Sequence, residues 1–329
     1  MIIVTGGAGF IGSNLVAALE ESSDQPIIVC DRLRSNEKWQ NLCKRKPLEI
    51  IHPDALFSFL DDHTQDIEII YHMGAISTTT ERDADLILEN NIHLSLNLFY
   101  WCTQNKTRFI YASSAATYGD GNQGFRDDWS SNYLKKFRPL NAYAWSKHWV
   151  DRQIASWIEE GGDTPSQWAG LKFFNVYGPN EYHKGAQQSV ASHLFRTIYK
   201  EKQPARLFKS YKAPYPDGGQ QRDFIWVRDC IDVLLWLKDT PSVKGIFNVG
   251  TGKARSFMDL ATALYDALEQ KPAIDFIDMP EGLPEKYQYF TEATSENLKK
   301  AGYTKGFTPL EDGVRQYVQH YLKTDDPYV

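Results

Sequence analysis

Short apolar runs alternate with longer amphipathic stretches through the first half of the chain. Five runs, at residues 2–5, 26–30, 67–72, 108–113 and 170–175, have the length and β-branched content of strands buried on both faces. The intervening patterns at 13–20, 84–104 and 143–160 repeat with helical spacing and are long enough to return the chain parallel to itself. The pattern predicts an α/β fold built on a doubly wound parallel sheet of the Rossmann type.

The pattern changes after residue 175. Gly, Pro and polar residues dominate 176–188, a helix is predicted near 189–202, and a strand, a helix and a strand follow over 223–250. Two further helices are predicted at 256–268 and 310–322. We therefore expect residues 1–175 to form the first domain, with a return segment at about 223–250, and residues 176–329 to form mainly a smaller α/β domain.

Charge and hydropathy exclude several classes of partner. The 36 Lys and Arg are outnumbered by 42 Asp and Glu, which gives a formal net charge of -6 and no overall positive field for nucleic acid. A phosphorylated ligand would need a local basic pocket. No apolar run approaches the roughly 20 residues of a membrane span, and glycines follow Met1 too soon for a secretory signal. We expect a soluble cytoplasmic protein.

The cysteines and histidines lack metal-binding spacing. Cys30, Cys43, Cys102 and Cys230 form neither CxxC pairs nor a zinc pattern, so we expect them to fill the core in a reducing compartment and predict no metal site. His72 follows an apolar strand, and we expect it to be buried or beside a cofactor rather than to bind metal.

A glycine-rich turn joins the first predicted strand to the first helix. Residues 5–13 read TGGAGFIGS and place Gly6, Gly9 and Gly12 at the spacing of a dinucleotide-binding loop. Glycines allow a pyrophosphate to approach the free N–H groups of the helix N-terminus. Asp31 follows Gly12 by 19 residues, which is about the distance expected for an acid that binds the adenosine ribose. The first domain is therefore predicted to bind a nicotinamide dinucleotide.

The residues after Asp31 bear on which dinucleotide is bound. A carboxylate alone favours NAD, because it accepts a hydrogen bond from the ribose 2′-hydroxyl and repels a 2′-phosphate. Arg32, Arg34 and Lys38 could clamp that phosphate through charge-assisted bonds of about 1.5–3 kcal/mol each, or could form a solvated basic loop. We predict NADP, with NAD as the alternative.

A candidate catalytic set lies in the second half of the first domain. Tyr143 and Lys147 are four residues apart and share one face of a predicted helix. Ser113 and Ser114 stand at the carboxyl end of a predicted strand, where open parallel sheets bind their ligands. We expect Lys147 to lower the pKa of Tyr143 and to hold the nicotinamide ribose, while the serine hydroxyl bonds the substrate oxygen that Tyr143 protonates or deprotonates.

These motifs occur in the order found in one family. TGGAGFIGS, YASSAATYG at 111–119 and YxxxK at 143–147 resemble the extended short-chain dehydrogenase/reductase family of nucleotide-sugar epimerases and dehydratases. Segments 73–81, 174–179, 183–185, 222–224, 248–252 and 287–288 extend the similarity nearly end to end, towards members that epimerise an ADP-activated heptose at C6. His-Lys-Gly at 183–185 is the most discriminating segment.

The resemblance implies a reaction without net redox change. Tightly held NADP would oxidise the heptose at C6 and return the hydride to the opposite face of the ketone, in the synthesis of lipopolysaccharide core heptose. Inversion needs proton donors or acceptors on both faces of the carbon. Lys184 matches the family's second acid/base, so the implied catalytic residues are Ser114, Tyr143 and Lys184.

The resemblance also assigns the binding residues. The implied cofactor-binding residues are Gly6, Gly9, Phe10, Ile11, Gly12, Asp31, Arg32, Lys38, Met73, Gly74, Ala75, Ile76, Ser77, Asn90, Lys147, Val176 and Lys184. The implied substrate-binding residues are Asn175, Ala186, His193, Phe208, Lys209, Ser210, Tyr211, Arg222 and Tyr287. Arg222 could bond the ADP diphosphate bidentately or pair with a nearby acid.

The chain departs from the family pattern in places, and other functions stay open. Ala186 replaces a substrate-contacting serine, Pro53 or its neighbour stands where a cofactor-contacting lysine is usual, and the 212–221 loop is longer. A UDP-hexose 4-epimerase is the alternative enzyme, and it would stay active without Lys184 because it needs one catalytic tyrosine. A non-catalytic NADP-binding protein is the alternative class. The family's habit suggests a homo-oligomer, with a pentamer as the expectation.

Overall fold

The computed structural model describes residues 1–34, 37–282 and 287–329. Its strands are β1 Ile2–Thr5, β2 Ile27–Cys30, β3 Glu49–Ile51, β4 Ile69–His72, β5 Arg108–Ser114, β6 Trp168–Phe173, β7 Asn175–Tyr177, β8 Ala205–Phe208, β9 Gln221–Arg222, β10 Phe224–Trp226, β11 Gly245–Val249, β12 Arg255–Ser256 and β13 Ile274–Ile277. Its α-helices are α1 Phe10–Ser22, α2 Leu56–Asp62, α3 Ala84–Ile87, α4 Leu94–Asn105, α5 Ser131–Leu134, α6 Ala142–Glu159, α7 Val190–Phe195, α8 Val227–Asp239, α9 Phe257–Ala267, α10 Glu296–Lys300 and α11 Leu310–Tyr317.

Seven parallel strands form the central sheet in the order β3-β2-β1-β4-β5-β6-β11. Helices α1 and α8 pack on one face, and α2, α4 and α6 pack on the other. The strand order reverses between β1 and β4, so the connections that follow these two strands run to opposite faces of the sheet and open a crevice at this switch point. The predicted doubly wound parallel sheet is confirmed, and its topology places a ligand site beside the glycine-rich turn.

The strand predicted at 170–175 ends too late in the sequence prediction. The sheet strand ends at Phe173, and Asn175 begins a separate strand. Phe174 still donates its backbone N–H to Val249, whereas Asn175 donates to Asp223. The chain therefore leaves the main sheet after Phe173, and β7 pairs with β10. The sequence pattern could not show this break, because β6 and β7 follow each other within one mostly apolar run.

The second half builds a smaller unit and also returns to the sheet. Strand pairs β7–β10, β9–β12 and β8–β13 lie outside the main sheet, and α7, α9 and α11 pack together around a second apolar cluster. Helix α8 and strand β11 return, since β11 pairs with β6. Ile11 and Val176 contact both clusters, so the crevice lies between the two cores.

Three of the four cysteines are buried as expected, and the expectation is wrong for Cys43. Cys43 is exposed because it follows a surface turn of 3₁₀ type at Glu37–Leu42. No helix in the described ranges 1–34, 37–282 and 287–329 is long and apolar enough to cross a membrane. Within the same ranges, no group of three or more His, Cys, Asp and Glu side chains is placed to hold a metal ion.

Candidate active site

The glycine-rich turn packs backbone against backbone. Gly6 has φ of 66°, and a Cβ added there would lie 2.5 Å from the Cα of Gly74 at the end of β4. A Cβ on Gly12 would lie 2.1 Å from the carbonyl oxygen of Gly6. Helix α1 begins at Phe10, and its N-cap residue Gly9 supplies no side-chain cap. The first N–H groups of α1 are therefore open to a pyrophosphate, so the turn fits a dinucleotide.

Asp31 is turned towards the protein. Its Oδ2 accepts from the backbone N–H of Ala8 at 2.9 Å. Its Oδ1 accepts from the backbone N–H of Arg32 at 2.7 Å and from Lys38 Nζ at 2.5 Å. The charge of the carboxylate is thus offset by a lysine, and both oxygens already have donors within the protein.

Arg32 lies at the mouth of the same end of the crevice. Its guanidinium donates to Asn90 Oδ1 at 2.6 Å and to Asp54 Oδ1 at 3.0 Å. Asp54 is mostly exposed, so this ion pair contributes little on its own. Arg32 lines the cleft with these two acceptors on its guanidinium.

Two polar residues hold the wall of the cleft, Asn91, which the sequence did not single out, and His72, which it did. Asn91 accepts from the backbone N–H of Ile76 at 2.8 Å and donates to its carbonyl at 3.0 Å, and it also donates to Ser146 on α6 at 3.0 Å. His72 is fully buried as expected, bonded to Thr5 Oγ1 at 2.7 Å and to Ser95 at 2.9 Å. These bonds fix the loop after β4 against β1 and α6.

Tyr143 and Lys147 lie on the first two turns of α6. Asn141 caps this helix by accepting from the backbone N–H of Ala144 at 2.8 Å. Ser114, the last residue of β5, lines the same cleft as Tyr143, and its hydroxyl is close enough to the phenol to lower the Tyr143 pKa. The helix cap and the strand end therefore place the phenol and the serine together, as predicted from the motifs.

Burial dominates the acid–base properties of this pair. It raises the pKa of Tyr143 above its ordinary value of 10.0, against a smaller lowering by the Ser114 hydrogen bond. The expectation that Lys147 lowers this pKa is wrong in the structure. Lys147 is itself 2% exposed, and burial lowers its own pKa to about 8, against the attraction of Asp151. Loss of solvent therefore penalises the charged form of both groups.

A buried charged network stands behind the catalytic helix. Asp151, two turns beyond Tyr143, accepts from the hydroxyls of Tyr111 at 2.9 Å and Ser113 at 2.7 Å, and from Lys172 Nζ. Lys172 also donates to Thr117 Oγ1 at 2.7 Å. The network ties α6 to β5 and β6. Of the residues in this network, the sequence motifs indicated only Ser113, which precedes Ser114.

Lys184 enters the cleft from the second unit. It lies in the turn Tyr182–Gln187, in which Gly185 has φ of 53°, and its Nζ is 5.3 Å from the centre of the Phe10 ring. Burial lowers the pKa of Lys184, and Glu181 opposes that effect. His183 lies 3.2 Å from Asn41, which follows the Lys38 segment. The turn therefore covers the start of α1.

One cleft of about 720 Å³ contains the predicted catalytic and cofactor-binding residues. It is lined by Gly6, Gly9, Phe10, Ile11, Gly12, Asp31, Arg32, Lys38, Met73, Gly74, Ala75, Ile76, Ser77, Asn90, Ser114, Tyr143, Lys147, Val176 and Lys184, and also by Arg34, Pro53 and Asn175. Its volume and polar lining suit a dinucleotide with a reacting group at its inner end.

Arg222 and Tyr287 form an extension of this cleft. The guanidinium carbon of Arg222 lies 5.6 Å from the centre of the Phe257 ring and 5.2 Å from that of Tyr287, and Phe257 lines the cleft. Phe208 packs edge-on against Tyr287. Asp223 does not pair with Arg222, because its oxygens accept from Thr251, Gly252 and Ala293. The guanidinium of Arg222 donates to the backbone carbonyl of Gln221 at 2.8 Å, and burial lowers the pKa of Arg222.

The remaining predicted substrate residues do not line the cleft. His193 lies 3.4 Å from the carbonyl oxygen of Ala186, on the exposed side of the Lys184 turn. Lys209 and Tyr211 both donate to Asp278, at 3.1 and 2.9 Å, and the Ser210 backbone donates to Asp217 at 2.7 Å. The side chains of Lys209, Ser210 and Tyr211 lie just beyond the end of β8. Ala186 lies in the Lys184 turn and His193 lies on α7, so all five residues are on the rim of the cleft.

Comparison with known proteins agrees with this geometry. The NAD dependent epimerase/dehydratase family model matches residues 2–250. An ADP-L-glycero-D-manno-heptose-6-epimerase of Nitratidesulfovibrio vulgaris is 49% identical over all of both chains. The structure of the Helicobacter pylori protein of that name has a TM-score of 0.78 at 28% identity, covering 97% of this chain and 95% of the other. A UDP-N-acetylglucosamine 4-epimerase of Methanobrevibacter ruminantium has a TM-score of 0.79 at 26% identity, covering 97% and 96%.

Proposed function

Because the chain belongs to the NAD dependent epimerase/dehydratase family, we propose that its cleft converts ADP-D-glycero-D-manno-heptose into the L-glycero epimer by inversion at C6. The full-length identity of 49% to a heptose epimerase favours this substrate over the UDP-sugars of the more distant 4-epimerases.

The observation that carries the proposal is the presence of two acid/base groups in one cleft. Tyr143 approaches from α6 in the first unit, and Lys184 approaches from the turn after β7 in the second. Inversion of an alcohol carbon requires proton transfer at the hydroxyl oxygen on both faces. A 4-epimerase that turns its keto sugar over needs only one such group, so Lys184 separates the two reactions.

The chain's own residues bind the reactants and move the proton. A bound nicotinamide supplies the hydride acceptor and donor. Tyr143 or Lys184 takes the proton of the C6 hydroxyl as the carbonyl forms, and the other group returns a proton to the oxygen when the opposite face is reduced. Ser114 holds the reacting oxygen, and buried Lys147 holds the cofactor ribose beside it.

The binding of the ADP diphosphate is assigned to Arg222. Its guanidinium is buried between two aromatic rings, and the neighbouring carboxylate of Asp223 is engaged elsewhere. A planar guanidinium held in this way can bond two phosphate oxygens at once. Tyr287 lies against the same guanidinium and completes the site. The rim residues Ala186, His193 and Phe208 to Tyr211 would reach the nucleotide sugar only at its outer end.

NADP is the preferred cofactor in this proposal. Lys38 offsets the charge of Asp31, so the acid no longer repels a 2′-phosphate strongly, and both of its oxygens have donors before any ribose binds. Arg32 and Arg34 line the same end of the cleft. The division into an NADP-binding unit at 1–175 and a substrate-binding unit at 176–329, the cytoplasmic location and the pentamer stay predictions.

The direct test uses the purified protein with ADP-D-glycero-D-manno-heptose and no added cofactor. Proton NMR should show the L-glycero epimer, because bound NADP is regenerated in each turnover, while UDP-glucose in a parallel sample should stay unchanged. Lys184→Ala should abolish most of this activity, and the exposed-lysine control Lys271→Ala should retain it. Unchanged heptose with NADP and NAD added, or an active Lys184→Ala variant, would contradict the proposal.

A further inference from the structure

Glu181 is a fully buried carboxylate in the segment that carries Lys184, and the mechanism above does not use it. Its Oε1 accepts from Ser189 Oγ at 2.7 Å, Tyr317 Oη at 3.0 Å and the Gly178 backbone N–H at 3.3 Å. Its Oε2 accepts from the backbone N–H of Ser189. One side chain thus collects four donors from three parts of the chain.

These donors lie on both sides of the Lys184 turn. Gly178 precedes the turn and Ser189 follows it, so a single carboxylate holds the two ends of the segment together. Ser189 also caps α7 by accepting from the backbone N–H of Ser192 at 3.2 Å. Within the segment, the backbone N–H of Lys184 donates to the carbonyl of Glu181 at 3.0 Å. The position of Lys184 therefore depends on bonds to the main chain and side chain of Glu181.

The third anchor comes from the C-terminal helix. Tyr317 on α11 is fully buried and packs on Tyr177 and Trp226 while its hydroxyl reaches Glu181. A helix far away in sequence thereby fixes the turn against the body of the second unit. Removing this hydroxyl should loosen the turn without opening the core, since the ring stays in place.

We propose that Glu181 is a positioning residue that holds Lys184 at the reacting carbon, with Tyr317 as its support. The inference rests on the proposed role of Lys184. Displacement of a catalytic group by about 1 Å can lower a rate by roughly 100-fold, because the reacting atoms lose their alignment. Loss of Glu181 should therefore act on the rate constant and leave the binding of cofactor and substrate almost unchanged.

The test measures kcat, KM for the ADP-heptose and Kd for NADP in Glu181→Gln and Tyr317→Phe. We expect kcat to fall by about 10- to 100-fold in Glu181→Gln and by several-fold in Tyr317→Phe, with KM and Kd within about two-fold of wild type. Each change is then repeated in the Lys184→Ala protein, with rates followed by NMR over hours. In the Lys184→Ala protein, each added change should lower the residual rate by less than about two-fold, because the Lys184 side chain that Glu181 and Tyr317 position is absent.

Two control variants report general loss of stability. Asp229→Asn removes a buried carboxylate that accepts from Thr308 far from the cleft, and Tyr303→Phe removes a buried phenol oxygen that has no partner in the described part of the chain. Both should keep kcat near wild type. If Glu181→Gln fails to fold, the positioning role is tested by comparing kcat of Tyr317→Phe with kcat of Tyr303→Phe.

The outcomes separate the inference from the proposed function. Full activity in Glu181→Gln and Tyr317→Phe, or an equal fall of kcat with and without Lys184, would overturn the positioning role alone. Full activity in Lys184→Ala would instead overturn the proposed function on which it rests.

Discussion

At the scale of single residues, Tyr143 presents a partly buried phenol beside the hydroxyl of Ser114. Tyr143→Phe should lower kcat by about 100- to 10,000-fold, the usual contribution of a general acid or base. NADP binding should be unchanged, because the ring remains. The control Tyr133→Phe removes a phenol bonded to the Gln123 carbonyl at 3.2 Å and should keep full activity. If kcat of Tyr143→Phe were within two-fold of the wild-type kcat, Tyr143 would not be an acid/base of the reaction.

Arg32 lies beside Asp31 at the end of the cleft where the adenosine ribose is expected. Arg32→Ala should weaken NADP binding by about 10- to 150-fold, the equivalent of one charge-assisted bond of about 1.5–3 kcal/mol, and should change NAD binding less than three-fold. Arg206→Ala, on the exposed face of β8, is the matched control. The measurement is fluorescence titration with both cofactors. Equal affinity of the wild-type protein for NADP and NAD would count against the assignment.

Motifs located the residues that line the cleft better than the residues that hold those residues in place. The glycine-rich turn and Tyr143 were identified because their types and spacing carry chemistry, whereas Lys184 was identified only through the family resemblance. Asn91, Asp151 and Glu181 were missed because their partners are far away in sequence, and only the fold brings the groups together. The orientation of Asp31 was hidden for the same reason, since Lys38 and Ala8 approach it from different turns.

At the scale of elements, helix α6 depends on the buried pair of Asp151 and Lys172. Both side chains are almost fully inaccessible, at 0% and 1%. Lys172→Met should lower the free energy of unfolding by about 3–5 kcal/mol, because it leaves a buried carboxylate without its cation.

The exposed pair Lys300 and Glu296 supplies the comparison, and Lys300→Met should change the free energy of unfolding by less than about 0.5 kcal/mol. Urea unfolding at pH 7 measures both variants. Equal effects at the two sites would show that the buried pair does not stabilise the contact between α6 and the sheet.

Helices with strong periodicity and uninterrupted apolar strands were predictable, and short elements of mixed polarity were not. The strands at 2–5 and 108–113 and the helix at 143–160 were found nearly at their observed bounds. Strands β3, β8 and β13 were missed because each includes a charged residue, unlike the equally short strands β1 and β2. The break between β6 and β7 follows from pairing with β10, which is a tertiary contact and leaves no local signal in an apolar run.

At the scale of the whole molecule, the buried histidine His72 contributes to the response of stability to pH. Burial lowers the pKa of His72 to about 3, from an ordinary value of 6.5. The unfolded chain therefore binds a proton below about pH 6.5 that the folded protein does not, and the free energy of unfolding falls as the pH falls.

Between pH 6 and 4, His72 alone should remove about 2–3 kcal/mol of the free energy of unfolding, at roughly 1.4 kcal/mol per pH unit. His72→Asn should flatten the profile by that amount, although it is less stable at pH 7. His320→Asn, at the surface, should keep the wild-type slope. Denaturant titrations at several pH values measure the difference, and parallel wild-type and His72→Asn profiles would contradict the buried neutral histidine.

The fold joins two units around one cleft. The central claim is that, in this cleft, a hydride is removed from C6 of the heptose and the same hydride is returned to C6. The decisive measurement is epimerisation of ADP-D-glycero-D-manno-heptose in D₂O, with the product examined by NMR at C6. The account predicts the L-glycero epimer with protium retained at C6, because the hydrogen travels as hydride and does not exchange with solvent. Deuterium at C6 would show removal as a proton and would contradict the account.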